Sequence, residues 1–186
     1  MPPIPRLSDP LTDGTIVLRP AAERDIPETL IAYQDDPELY IRLGAERPPS
    51  GAELGRLSER AEEDREAGTR VELTVLEAGS DTCVGMVGVH AVDWENARAD
   101  LGVWLAPQVR GRGYGARALR LVGVWLFEVA GLRRVQLFTQ PDNERMIVSA
   151  KRAGFQFEGV LWGYTRERGA RVDLAILSLL PGDLPS

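Results

Sequence analysis

The segment Gln108-Val109-Arg110-Gly111-Arg112-Gly113-Tyr114-Gly115-Ala116 interleaves three glycines with two arginines. It stands between an apolar run ending Val103-Trp104-Leu105 and a helical pattern that starts near Ala116. Glycine leaves peptide amides unshielded and reaches backbone angles closed to other residues. Amides at a helix N-terminus converge on an anion and add the helix dipole, and arginine pairs with further phosphate oxygens. The chemistry these residues point to is capture of a pyrophosphate.

The known phosphate loops divide on context. No Gly-x-x-x-x-Gly-Lys-Ser/Thr string occurs in the chain. Gly111, Gly113 and Ala116 satisfy Gly-x-Gly-x-x-Gly/Ala, but Pro107 to Arg110 separate the strand from the first glycine. The chain also ends in a hairpin pattern instead of continuing as alternating strands and helices, which a dinucleotide-binding domain requires. A glycine-rich turn without a ligand is the plain alternative. Three glycines at a helix start cost stability without a folding return, which favours a binding role.

The elements that must position this loop fit one domain, taken as residues 15–180, with an N-terminal extension 1–14 and a tail 181–186 expected to fray. At 44% hydrophobic residues the chain can bury a core. A formal charge of −6 argues against nucleic acid as the partner and favours a cationic mobile one. Cys83, the single cysteine, lies in an apolar run and reads as core, and His90, the single histidine, excludes a multi-histidine metal site. No metal is expected. His90 alternates with Val89 and Ala91 in a strand, which suits packing or a substrate-lining position. The opening residues lack a signal-peptide core and the apolar stretch Leu121–Phe127 is too short to span a bilayer, so a cytoplasmic protein without membrane contact is expected.

Hydrophobic periodicity and turn residues give the order of elements. A strand at Thr15–Pro20 is followed by helices at Glu23–Tyr33 and Ala52–Glu66. Strands at Arg70–Glu77, Cys83–Val92 and Ala97–Leu105 read as antiparallel neighbours. After the glycine loop come a helix at Ala116–Ala130, a strand at Arg134–Thr139, a helix at Asn143–Ala153 and a final hairpin, Phe155–Trp162 with Arg171–Leu180. This is a mixed α/β domain of the α+β kind, not regular βαβ winding.

Arg110-Gly111-Arg112-Gly113-Tyr114-Gly115 resembles the Arg/Gln-x-x-Gly-x-Gly/Ala motif of the GCN5-related N-acetyltransferases. Leu18-Arg19-Pro20 with Asp25, Val84-Gly85-Met86-Val87-Gly88, Leu101-Gly102-Val103-Trp104-Leu105, Asn143, Gly154-Phe155, Glu158-Gly159 and Asp173 follow the order of its RimJ/RimL-type branch through nearly the whole chain. The resemblance implies a mostly antiparallel sheet flanked by helices, with splayed strands at the acyl-CoA site. It implies that Arg110, Gly111, Arg112, Gly113, Tyr114, Gly115 and Ala116 grip the pyrophosphate of acetyl-CoA. Val103 and Leu105 would pair with the pantetheine through their backbone, and Asn143 would bond the pantetheine or simply cap its helix.

The implied reaction is direct attack of a neutral primary amine on the thioester, which needs a path for the amine proton. Glu158, in Phe157-Glu158-Gly159, matches the glutamate proposed as base in that branch, and Asp100 and Asp93 are alternatives. The branch's serine three residues after the asparagine is Met146 here, and its last-strand tyrosine is Leu177. Ser149, one turn further on, is the substitute acid, or the thiolate leaves without one. Trp162 faces the side of Glu158 by alternation and, with Tyr164, lines the acceptor groove or packs the sheet. The acceptor is expected to be a protein N-terminal α-amine or a small amine, and the chain a monomer or homodimer. A longer acyl donor such as succinyl-CoA, or a non-catalytic acyl-CoA-binding module, are the other readings.

Overall fold

The computed structural model describes residues 1–184. Eight strands form one sheet: β1 (Leu11–Thr12), β2 (Ile16–Pro20), β3 (Val71–Glu77), β4 (Cys83–Asp93), β5 (Arg98–Leu105), β6 (Arg134–Thr139), β7 (Gln156–Glu167) and β8 (Ala170–Leu179). Their spatial order is β1-β2-β3-β4-β5-β6-β8-β7. Every pair is antiparallel except β5 with β6, as the short connections between β3, β4 and β5 require.

Alternation along the strands divides the sheet into two faces. Val87, Val89, Ala99, Leu101, Val135, Leu137, Leu177 and Leu179 are buried on one face. There they meet α4 (Tyr114–Glu128), whose Leu119, Val122 and Leu126 form a continuous apolar stripe. A Cβ on Gly123 of α4 would come within 2.8 Å of Leu179 Cδ2, so the helix lies close on that face. Beside it runs α5 (Glu144–Ala153), closed by left-handed Gly154. The opposite face carries α1 (Ile26–Asp35), a short α2 (Leu39–Arg42) and α3 (Gly51–Glu66), which starts in a Ser50–Glu53 capping box. Thr29 and Tyr33 of α1 contact Met86 and Trp104, which alternate with the core residues of β4 and β5.

Several boundaries differ from the sequence reading. Strand β1 and helix α2 are too short for periodicity to register. Helix α4 begins at Tyr114, two residues early, because Gly113 takes the left-handed N-cap conformation (φ 81°) and lets the chain turn at once. The tail expected to fray instead closes a turn at Pro181–Asp183, where Leu180 N donates to Asp183 Oδ2 at 2.9 Å; its residues 185–186 lie outside the described ones. Residues before β2 pack into the same body: Ile4 is buried, and its N–H and carbonyl both bond Arg65.

The α1–α3 layer is tied to the sheet by a buried ion pair. Arg19 Nη2 and Nη1 donate to Asp25 Oδ1 and Oδ2 at 2.6 and 2.8 Å, and Thr74 Oγ1 and Ala22 N also donate to Asp25 Oδ2. Burial raises the Asp25 carboxyl pKa, but the hydrogen bonds from Arg19, Thr74 and Ala22 outweigh it, and the net displacement is downward from 3.8. The stability this group contributes is therefore present above about pH 4 and is lost as acid protonates it. Asp25→Asn strands a nearly buried guanidinium and is expected to cost on the order of 3 kcal/mol in a denaturant titration. A loss within error of zero would refute the anchoring role.

Candidate functional site

The site begins where β5 parts from β6. Their parallel pairing covers Arg98, Ala99 and Asp100 against Arg134, Val135 and Gln136 and goes no further. Ala106 N donates to Val84 O, and the register pairs Leu105 with Gly85 and Trp104 with Met86. Peptide groups alternate in an antiparallel ladder, so Gly102, Trp104 and Ala106 bond toward β4. Those of Val103 and Leu105 point to the side that β6 has left. The Leu105 carbonyl accepts from Arg110 Nε at 2.9 Å. The N–H and C=O of Val103 and the N–H of Leu105 face the opening. Side-chain burial agrees: Ala99 and Leu101 are buried, while Val103 and Leu105, on the same face, are only half-buried.

The strand then leads through a 3-10 turn at Pro107–Val109 into the glycine loop. Gly111 and Gly113 both have φ of 81°, a left-handed conformation that side chains resist. A Cβ on either would meet no protein atom within 4 Å, so the loop surface is open. Ser50 and Asn143 cap α3 and α5, but α4 has no side-chain cap and no acidic residue in its first turn. The first capping bond at this end runs from Arg117 N to Gly113 O, which leaves the Tyr114, Gly115 and Ala116 amides without a helix acceptor. This uncapped end suits an anion, and the neighbouring unpaired edge of β5 suits an extended amide-bearing chain.

The two arginines are placed differently from the sequence expectation. Arg110 Nη2 bonds Asp36 Oδ2 at 2.6 Å, and Arg112 Nη1 bonds Glu77 Oε1 at 2.8 Å. Tyr114 Oη donates to the same Glu77 oxygen at 2.7 Å. Burial raises the Asp36 pKa, and the Arg110 contact outweighs it to hold the carboxyl below its ordinary value. A part-buried guanidinium needs a counter-charge inside the folded chain, so Arg110 strings Leu105 and the end of α1 together and is not aimed at a phosphate. Arg112 is 54% exposed, and a surface pair of that kind yields readily to a phosphate.

Asn143 caps α5 by accepting from Met146 N at 3.3 Å, while its Nδ2 donates to Thr139 Oγ1 at 3.0 Å. Both ends of its amide are engaged, so the capping reading holds. Ser149 faces α4: a Cβ on Gly115 would lie 3.8 Å from its Oγ and 3.7 Å from Leu105 Cδ1. Leu177 is fully buried, and Met146 packs on the core.

Glu158 does not fit the role of base. Arg134 grips it with two bonds of 2.7 Å, and Ser178 Oγ donates at 2.6 Å. The Arg134 contact, then the Ser178 bond, hold its pKa down at about 2. Arg134 and Gln136 alternate with core-facing Val135 and Leu137, so this network lies on the face opposite Ser149 and α4, and the sheet separates the expected base from the expected acid. The chain of bonds continues from Arg134 Nε to Gln136 Oε1 and from Gln136 Nε2 to Asp100 Oδ1 at 2.9 Å. Asp93 belongs to the β4–β5 turn, where Asn96 and Arg98 bond it, and is a hairpin cap. Cys83 is buried, and burial pushes its thiol up to about 11, consistent with core.

A cavity of about 840 Å³ lies between α1, α3 and the sheet, lined by Thr29, Tyr33, Met86, His90, Gly102 and Trp104 among others. Val103 also lines it, so the cavity and the opening beside β5 share residues. Tyr33 and Glu72 were not singled out from sequence. Burial, then the Glu72 charge, raise the Tyr33 phenol above its ordinary value. Trp162 is 86% exposed and Tyr164 stacks on Phe138 at 5.5 Å; neither lines the cavity, which lies over β3, β4 and β5, whereas β7 is the far edge strand of the sheet. Glu158→Gln is expected to leave the pH dependence of any turnover between pH 6 and 9 unmoved. Since the folded pKa of Glu158 is depressed, wild-type stability falls as pH drops from about 4.5 toward 2, and the variant lacks that component in thermal melts. A shifted neutral-range profile would restore Glu158 as base.

The sequence matches the family described as acetyltransferase (GNAT) domain over residues 15–156. It is 23% identical over 158 residues to the uncharacterized N-acetyltransferase p20 of Bacillus licheniformis, covering 85% of this chain and 89% of that protein. Mycobacterium smegmatis RimJ, solved in complex with CoA-disulfide, superposes with a TM-score of 0.83 at 21% identity over 96% of this chain and 88% of that one. Spermidine N-acetyltransferase from Vibrio cholerae, solved with CoA and spermine, gives a TM-score of 0.77 at 17% identity over 92% and 98%. With its mostly antiparallel sheet, parted β5 and β6 and glycine loop, the chain belongs to the GNAT acetyltransferase family, whose members move an acetyl group from acetyl-CoA to an amine.

Proposed function

We propose that acetyl-CoA lies along the parting of β5 from β6, with its pyrophosphate on the amides of residues 112–116 and its pantetheine paired with Val103 and the Leu105 N–H. The observation that carries this reading is the contact of two features at Val103: an unpaired strand edge that starts beside an uncapped helix, and a cavity on the other face of the sheet. The coenzyme supplies a thioester activated toward nucleophiles. The chain's own residues do the rest. The α4 amides neutralise phosphate charge without bringing a counter-ion of their own, and an N–H of the parted β5 edge is available to an oxyanion. Arg110 fixes the loop by bonding Leu105 and Asp36.

The acceptor enters through the cavity as a primary amine. A protein N-terminal α-amine and a small amine both fit an opening of this size. The thiolate leaves without a dedicated acid or with Ser149 near Gly115. Residues 15–180 act as one acetyltransferase domain.

Gly113→Val tests the loop. A β-branched residue at φ 81° is strained, and its side chain projects into the space in front of the amides. Acetyl-CoA binding by calorimetry is expected to be abolished, while circular dichroism retains the folded spectrum. Unaltered affinity would count against the loop as the pyrophosphate site. A screen of acyl donors against amines, read by thiol release, then assigns the acyl preference; uptake of coenzyme without thiol release from any amine would favour a binding module.

A further inference from the structure

Glu72 on β3, Gly88 on β4 and Gly102 on β5 are register partners in one row across the sheet. All three line the cavity. The row on one side is Met86 with Trp104, and the row on the other is His90 with Asp100. The middle of the cavity floor therefore carries no side chain on two successive strands. It ends at Gly102, beside Val103 and two residues beyond the last pairing of β5 with β6.

The Glu72 carboxylate lies over this floor. A Cβ on Gly88 would come within 2.8 Å of Oε1 and 3.0 Å of Oε2, so glycine is required for the carboxylate to lie there. Arg70 directs both Nε and Nη2 to Oε1, at 2.9 and 2.7 Å. Among the described residues no hydrogen bond reaches Oε2. The Glu72 side chain is 28% exposed, open to the cavity yet largely out of bulk water. Adjacent strands lie about 5 Å apart, so a group bonded to this carboxylate sits one strand spacing from the open edge of β5.

We propose that Glu72 is the acceptor-binding residue: its Oε2 receives the primary ammonium of the incoming amine, and the Gly88–Gly102 floor leads that nitrogen to the parted edge of β5, where it sheds a proton to solvent water and attacks as the neutral amine. This rests on the acetyl-CoA reading above and assigns the other half of the same site. A charge-assisted hydrogen bond to an ammonium is the interaction a carboxylate in this setting makes best. Trp104 and Met86 supply an apolar wall for the carbon chain behind the nitrogen.

The test is steady-state acetylation by the full chain with two probe amines, 1,4-diaminobutane and a glycine-terminated peptide amide, alongside calorimetric titration with acetyl-CoA. Glu72→Gln is expected to raise the KM of the preferred amine about ten- to a hundredfold, with acetyl-CoA affinity unchanged. Gly88→Ala, which pushes the carboxylate aside without removing it, is expected to shift the same KM in the same direction. Glu72→Asp, shorter by one methylene, should recover part of the loss. Thermal melts establish that each variant is folded. Wild-type turnover with amine KM unaltered in folded Glu72→Gln overturns the assignment and leaves the acetyl-CoA reading intact. A wild-type protein that takes up no acetyl-CoA overturns both.

Discussion

A strand edge left unpaired inside a protein is the constraint from which the rest of this structure follows. Backbone N–H and C=O groups away from water need partners, and β5 gives up its neighbour after Asp100. The chain satisfies part of the deficit itself by folding Arg110 back onto the Leu105 carbonyl. The groups at Val103 stay open toward a space that an amide-bearing chain can fill as a strand would. The same accounting governs α4, whose first amides lack the side-chain caps that close α3 and α5. Two sets of unsatisfied groups therefore adjoin, an anion site at a helix end beside a bare strand edge.

The two faces of the sheet divide the work. The α4–α5 face is close-packed and apolar. The α1–α3 face is tied down by the Arg19–Asp25 pair and keeps a cavity above β3, β4 and β5. The polar chain Asp100–Gln136–Arg134–Glu158–Ser178 runs across β5, β6, β8 and β7 on that second face. Its Asp100–Gln136 bond sits at the last register pair of β5 with β6, where it holds the two strands together just before they part.

The glycine loop was legible in the sequence because its physics is local: glycine, positive φ and a helix start need no distant partner. The same held for the core helices, whose apolar periodicity survives any tertiary detail. Residue roles set by distant contacts were not legible. Arg110 reads as a phosphate ligand until Asp36, far away in sequence, is seen beside it. Glu158 reads as a free carboxylate until Arg134 and Ser178 close on it. Alternation could not place Trp162, because β7 is the far edge strand of the sheet, away from the cavity. Glu72 carries no motif, and its position matters only through the register that places it opposite Gly88.

The most direct test of this account is a crystal structure of the protein grown with acetyl-CoA. The account predicts the diphosphate within hydrogen-bond distance of the Tyr114, Gly115 and Ala116 amides, and the pantetheine bonded to the backbone of Val103 in the space that β6 vacates. A coenzyme bound at another surface, with the edge of β5 still bare, would contradict it.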